Sequence, residues 1–361
     1  MSAAAALPRI AVVGVSSLIG EAVLEELLAR KIPCAALHAL DDERHIGRPV
    51  RAPEEPPADG DAAQEGGAGR VPQVIPVSAF DFSGVDLAIF CGRSALAERY
   101  AEAAAAHAWV VDCSTAFRAR SGVPLIAADV NGSLLVGQGS RGLVALPGSA
   151  SVALATALAP LHARAGLLRA EVATYQAVSG SGRGAMEELA AETVAMLSGK
   201  KARGRAFGRQ IAFNVIPQVD ALQADGASLE ERRLWEETRR ILGLPQLEIN
   251  ATAVRVPVFF GHSLAVHATF ERPLTVADAS AALQAGAGIS LISPDSSSQF
   301  PTPATFATAP DKVYVGRVRP DASRDRALNF WVVADNVRKC AAYNAVSVAQ
   351  ILVNNGSVRY S

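Results

Sequence analysis

A histidine and an arginine stand close together in RVPVFFGHS, at His262 and Arg255. A histidine just past a glycine at the end of a strand-like run can move protons near pH 7. An arginine at the other end of that run can clamp a carboxylate through two parallel hydrogen bonds. The same two residue types are common on surfaces and interfaces, so the pair alone assigns no reaction. A second candidate is GVSSLIG, spanning Gly14, Ser16, Ser17, Leu18, Ile19 and Gly20. A turn between a strand and a helix exposes backbone N–H groups that bind a phosphate. The full dinucleotide pattern has three glycines and this segment has two, so a bare turn that binds nothing is the alternative. The third candidate is LHALDDERHIGR, where Asp41, Asp42 and Glu43 precede Arg44. A carboxylate at this distance from a glycine turn accepts a bond from a ribose 2′-OH, whereas an arginine accommodates a 2′-phosphate. Three acids repel a 2′-phosphate, which favours NAD over NADP; a solvated charged turn is the other reading.

These residues need elements to hold them. Ile10–Val13 is a β-branched run without alternation, as in a strand buried on both faces. Ile19, Val23, Leu24, Leu27 and Leu28 then recur at helical spacing. Further strands read at Cys34–Leu40, Val85–Cys91 and Trp109–Cys113, with a helix over 94–107. The alternation predicts an α/β fold with a doubly wound parallel sheet. Residues 52–70 are rich in Pro, Gly and acid and are expected to form a mobile surface loop. Beyond about Ala150 the character changes. A helix near 150–165 precedes long strand-like runs, EVATYQAVSG, INATAVRVPVFFG and HSLAVHATFE, with helices at 184–197 and 229–242 and a last one from Asn336 to about Val353. This predicts a mixed or antiparallel sheet half-covered by helices.

The chain has 361 residues, enough for about two domains. Half of it is hydrophobic and 19% is charged, which excludes whole-chain disorder. Lys and Arg nearly cancel Asp and Glu, 34 against 35, so nothing points to nucleic acid or an anionic membrane. The cysteines Cys34, Cys91, Cys113 and Cys340 form no CxxC pair, so neither a bridge nor a metal site is read from them. The N-terminus lacks a secretory pattern. The uncharged stretch Leu143–Leu161 contains Pro147, Gly148 and Pro160, breakers that a spanning helix disfavours. The expectation is a soluble cytoplasmic protein.

Read together, VGVSSLIGEAV, DCSTAFR, TYQAVSGSGRGAMEEL, FNVIPQVD, RVPVFFGHS and DNVRKCAAYNAV resemble the aspartate-semialdehyde dehydrogenase family over nearly the whole chain. The resemblance implies a Rossmann-type domain over 1–149, a substrate-binding and dimerisation domain with a mixed sheet over 150–335, and a segment 336–361 returning to the first domain. It also implies a homodimer and a small-molecule substrate. The family reduces L-aspartyl 4-phosphate with NADPH through a cysteine acyl-enzyme. By resemblance Gln176 orients the acyl group, His262 is the acid/base, Arg255 holds the substrate carboxylate and Arg118 binds phosphate. Glu230 meets the substrate amino group, and Arg233 stands where the family has a phosphate-binding lysine. Cofactor contacts are expected at Gly14, Ser16, Ser17, Leu18, Ile19, Gly20, Asp42, Arg44, Ser179, Gly180 and Asn336.

The departures are chemical. Where the family has a block like NPNCST this chain has LPGSAS, and Ser149 replaces the nucleophilic cysteine. A thiol is a few per cent ionised at pH 7, whereas a serine hydroxyl needs a positioned base. Cys113 falls where the family often has asparagine, as a packing thiol or a displaced nucleophile. The pattern resembles the Usg-type branch beside the family, with little or no phosphorylating dehydrogenase activity. The alternative is an NAD(P)-dependent oxidoreductase acting on an aldehyde or acyl group in amino-acid biosynthesis, with Ser149 or Cys113 standing in or no covalent intermediate. An esterase-like pair of Ser149 and His262 is disfavoured, because LPGSAS is not a nucleophile elbow.

Overall fold

The structure is a computed structural model that describes residues 7–46, 73–201, 204–293, 300–306 and 311–358. The segment 52–70, expected to be a mobile loop, lies outside the described residues. In chain order the elements are β1 (Arg9–Val13), α1 (Leu18–Ala29), β2 (Ala36–Asp41), β3 (Val74–Pro76), β4 (Leu87–Phe90), α2 (Ser94–Ala105), β5 (Trp109–Asp112), α3 (Ala128–Asn131) and β6 (Gly142–Ala145). They continue with α4 (Ser149–Ala165), β7 (Leu167–Gln176), α5 (Arg183–Leu197), α6 (Leu229–Leu242), β8 (Glu248–Arg255), β9 (His262–Phe270) and α7 (Val276–Ala285). Last come β10 (Ile289–Leu291), α8 (Pro303–Phe306), β11 (Val313–Pro320), β12 (Ala327–Ala334) and α9 (Asn344–Asn354).

The chain divides into two compact units. The first comprises Met1–Pro124, Leu135–Ala145 and Ala345–Ser361, the second Leu125–Leu134 and Leu146–Asn344. The division thus falls after Ala145 instead of residue 149, and the returning segment starts at Ala345 instead of 336. Local bonds account for the shift. Asn344 donates to the Ile126 carbonyl at 3.1 Å, and Lys339 reaches Asp129 at 2.7 Å, which holds 335–344 in the second unit.

The first unit is a six-stranded sheet in the order β3-β2-β1-β4-β5-β6, with every pairing parallel. The unalternating runs IAVV and LAIF are buried on both faces, as central parallel strands require. Ser17 caps α1 by accepting the Gly20 N–H at 2.9 Å, a contact that contributes about 1 kcal/mol.

The second unit is also six-stranded, in the order β10-β11-β12-β9-β7-β8. Its β7–β8 and β10–β11 pairs are parallel and the rest antiparallel, so the sheet is mixed. Helices α4, α6 and α7 pack against it. In β7 the alternate residues Ala170, Val172, Thr174 and Gln176 are buried, while Glu171, Ala173 and Tyr175 lie half-buried or exposed. Helix α6 starts with a capping box between Ser228 and Glu231 and ends at Gly243 in the left-handed region.

Two expectations change here. RVPVFFGHS is not one strand: β8 ends at Arg255, β9 begins at His262, and β7 lies between the two. The helix expected from Asn336 is instead a wide π-type turn, Arg338–Tyr343, followed by α9. Asp335 starts it by accepting the Val337 and Arg338 N–H groups at 2.8 and 2.7 Å.

Candidate active site

The site is built at the ends of β7, β8 and β9 and at the head of α4, all in the second unit. Register brings Gln176 beside Arg255 and Tyr175 beside Ser263. The Ala177 peptide then ties two neighbours together. Its N–H donates to His262 Nδ1 at 3.2 Å, and its carbonyl accepts from Arg255 Nη1 at 2.7 Å. A Cβ added to Gly180 would stand 3.0 Å from Arg255 Nη1 and 3.5 Å from His262 Nε2, so the glycine lets both side chains close over the chain.

These bonds fix the protonation of His262. A backbone N–H can only donate, so Nδ1 is the acceptor and the neutral ring carries its proton on Nε2. Burial, reinforced by the Arg255 charge, pushes the histidine down to about 3. His262 is 4% exposed and neutral at pH 7, presenting an N–H donor instead of a free base. Arg255 is 5% exposed; burial lowers its pKa, it faces the Phe207 ring at 5.7 Å, and its Nε has no partner among the described residues. Such a buried donor suits a carboxylate ligand. Gln176 is also buried and donates to Glu230 Oε1 at 3.0 Å. Arg233 pairs with Asp220 at 2.6 Å, which offsets the positive charge that a phosphate would need.

Ser149 is the first residue of α4. Its Oγ donates to the Asn336 carbonyl at 2.8 Å. The Asn336 side chain in turn donates to Ser179 Oγ at 3.0 Å and accepts the Gly261 N–H at 3.0 Å. Ser179 and Asn336 thus join the head of α4 to the loop before His262. One residue escaped the sequence reading. Glu237, 4% exposed on α6, accepts the Gly148 N–H at 2.7 Å. Its position seven residues after Glu230, on the same helical face, was the available signal.

In the first unit the two glycines of the turn are sterically required. Gly14 has φ +79°, and a Cβ there would lie 2.4 Å from Gly92 Cα; one on Gly20 would lie 2.3 Å from the Gly14 oxygen. Ser17 takes the middle position and donates to the Cys91 carbonyl at 2.8 Å. Leu18 and Ile19 open α1, where N–H groups have no intrahelical acceptor, so the turn retains donors that fit a pyrophosphate. Asp41 is 3% exposed and accepts from the Ser16 N–H and the Asp42 N–H, both at 2.8 Å. Asp42 pairs with Arg44 Nη2 at 2.5 Å, and this bond lowers its pKa. Ligand atoms of Asp41, Asp42 and His45 lie within 4.8 Å of one another, a cluster these internal bonds account for. A cleft of about 520 Å³ opens beside them, lined also by Arg93, Arg99 and Tyr100. Arg118 donates to the Cys113 carbonyl at 3.0 Å. Cys91 and Cys113 are buried, and burial raises the Cys91 thiol well above its ordinary value.

A parallel nucleotide-type sheet, paired with a mixed sheet that carries a buried His–Arg–Gln cluster, defines a two-domain dehydrogenase architecture. The chain belongs to the aspartate-semialdehyde dehydrogenase family. Residues 9–137 match the family model described as "Semialdehyde dehydrogenase, NAD binding domain", and residues 158–339 the one described as "Semialdehyde dehydrogenase, dimerisation domain". The aspartate-semialdehyde dehydrogenase of Legionella pneumophila is 37% identical over 345 residues, 95% of each chain. Aspartate-semialdehyde dehydrogenase 2 of Vibrio cholerae is 36% identical over 348 residues, 96% of this chain and 98% of its own. The crystal structure of aspartate semialdehyde dehydrogenase II from Vibrio cholerae superposes with a TM-score of 0.89 at 36% identity, covering 96% of this chain and 99% of that one. Among the described residues no helix is long and apolar enough to cross a membrane.

Proposed function

We propose that this chain is a Usg-type paralogue of aspartate-semialdehyde dehydrogenase, with little or no phosphorylating dehydrogenase activity. It keeps a small-molecule pocket and nucleotide turn but lacks the covalent nucleophile. The observation that carries the reading is the hydrogen bond from Ser149 Oγ to the Asn336 carbonyl. A hydroxyl is activated when a base takes its proton. Here the proton points at a peptide oxygen, which cannot accept it, and His262 has its lone pair turned to Ala177.

In this reading Arg255 holds a ligand carboxylate, Glu230 meets an amino group, Gln176 orients the acyl carbon and His262 donates from Nε2. By resemblance Arg118 and Arg233 are the phosphate-binding groups, Arg233 on exchanging its Asp220 partner for the phosphate, and Ser149 occupies the nucleophile's place. Gly14, Ser16, Ser17, Leu18, Ile19, Gly20, Asp42 and Arg44 of the first unit would hold the dinucleotide, and by resemblance Ser179, Gly180 and Asn336 are further cofactor contacts. When bound, the nicotinamide would supply hydride chemistry; the protein holds and orients it. The Asp42–Arg44 pair favours NAD over NADP, because the arginine's charge is already matched by a carboxylate. The half-exposed sheet face carrying Tyr175 and Trp331, whose rings lie 5.4 Å apart, is the surface for a second copy, giving a cytoplasmic homodimer.

The test is direct. Purified protein is incubated with aspartate semialdehyde, phosphate and NAD or NADP, and reduced cofactor is followed by absorbance. The expected result is no turnover above background. Turnover on the order of 1 to 1,000 per second would overturn the reading in favour of an active aldehyde or acyl oxidoreductase.

A further inference from the structure

We propose that Phe207 is a positioning and specificity-determining residue, whose ring covers Arg255 and limits the size of the carboxylate ligand that reaches it. The inference rests on the reading of Arg255 as the group that holds the ligand carboxylate, and it adds what that ligand's shape must be. Arg255 is the last residue of β8, where the strand ladder ends, yet it is only 5% exposed. Part of its cover comes from outside the sheet. The guanidinium carbon lies over the Phe207 ring, 5.7 Å from its centre, a distance at which an aromatic face attracts a cation.

The segment carrying Phe207 is built to hold the ring there. Gly204 and Gly208, on either side of it, both lie in the left-handed region, at φ +60° and +67°. A Cβ on Gly204 would stand 2.6 Å from the Arg209 carbonyl carbon, so the turn closes on itself. Two glutamates of α5 then grip the segment by its backbone. Glu188 accepts the Ala206 N–H at 2.8 Å, and Glu192 accepts those of Gly204, Ile211 and Ala212 at 2.7, 2.9 and 3.1 Å. Phe207 itself packs against a small apolar cluster that includes Val178, Leu189 and Ile211. Val178 directly follows the Ala177 peptide that binds Arg255, so ring and guanidinium are fixed to the same stretch of chain. With Nη1 taken by the Ala177 carbonyl and the ring over the guanidinium carbon, Nε is a donor left for a carboxylate. A compact acid of aspartate size fits this arrangement, whereas a bulky substituent next to the carboxylate meets the ring.

The experiment uses the full-length chain and phenylglyoxal, which adds to guanidinium groups, with modification of Arg255 read by peptide mass spectrometry. Wild type, Phe207→Ala and Phe207→Tyr are compared alone and with L-aspartate or 2-benzylsuccinate. Arg255 should label roughly tenfold faster in Phe207→Ala, and at the wild-type rate in Phe207→Tyr, which restores the ring. The exposed Arg164 should label equally in all three, which separates loss of cover from general loosening. L-Aspartate should protect Arg255 in every protein, whereas 2-benzylsuccinate should protect only Phe207→Ala, where the vacated space takes the benzyl ring. Unchanged labelling of Arg255 in Phe207→Ala would overturn the covering role. Equal protection of the wild type by the two acids would overturn the size limit, a result that decides it even if the alanine variant does not fold. Absence of protection by either acid would reject the carboxylate reading of Arg255 and the size limit with it. The labelling rates need no ligand, so the covering role is decided separately from the functional reading.

Discussion

The protonation of His262 makes a prediction that stability alone can test. The ring is neutral in the folded chain, with its pKa pushed to about 3, whereas in the unfolded chain it titrates near the ordinary 6.5. A histidine lowered in this way favours the native state above pH 6.5. Its contribution is lost as the pH falls from 6.5 towards 3, because only the unfolded chain takes up the proton. Each pH unit in that window costs about 1.4 kcal/mol, so the whole 3.5-unit shift amounts to about 5 kcal/mol and the part down to pH 5 to about 2 kcal/mol. The perturbation is His262→Asn, whose side-chain oxygen can still accept the Ala177 N–H but has no proton to gain. Urea unfolding, followed by tryptophan fluorescence, is compared for the two proteins at pH 7, 6 and 5. The wild type should lose about 2 kcal/mol more than the variant over that range. Parallel loss in both would refute the assignment of His262 as a buried neutral donor.

Three further outcomes are expected. Ser149→Cys should create phosphate-dependent reduction of NAD or NADP by aspartate semialdehyde. A thiol of pKa about 8.5 replaces a hydroxyl that ionises only at far higher pH, and steady-state absorbance kinetics will show whether the pocket is otherwise intact. Asp42→Asn should free Arg44 and tighten NADP relative to NAD by about tenfold, measured by calorimetry; an unchanged ratio would remove Asp42 from cofactor choice. Gly14→Ala should cost about 1–3 kcal/mol from backbone strain alone and abolish nucleotide-dependent thermal shifts, since its Cβ would collide with Gly92 Cα.

Much of this arrangement is legible in the residue pattern, and the illegible part has definite causes. Unbroken apolar runs such as IAVV and LAIF mark central parallel strands because both faces are buried. The short edge strands Val74–Pro76 and Gly142–Ala145 leave no comparable trace in three or four residues. RVPVFFGHS reads as one run because apolar residues continue through the loop 256–261, and strand order, which inserts β7 between its ends, is not a local property. Asp41 and Asp42 look alike in sequence, but one is buried by a bond to the Ser16 N–H and the other caps a turn and holds Arg44. Gln176, Arg255 and His262 were identifiable through resemblance. The bonds of Arg255 and His262 to the Ala177 peptide, that of Gln176 to Glu230, and the contact of Glu237 with Gly148 depend on long-range packing.

The central claim is that no nucleophile at position 149 attacks the carbonyl carbon. The measurement that meets it most directly is mass spectrometry of the wild-type chain, quenched during incubation with aspartate semialdehyde, NAD or NADP, and phosphate. The account predicts an unmodified peptide at Ser149 and no reduced cofactor. An acyl group on Ser149 while reduced cofactor forms steadily would contradict it.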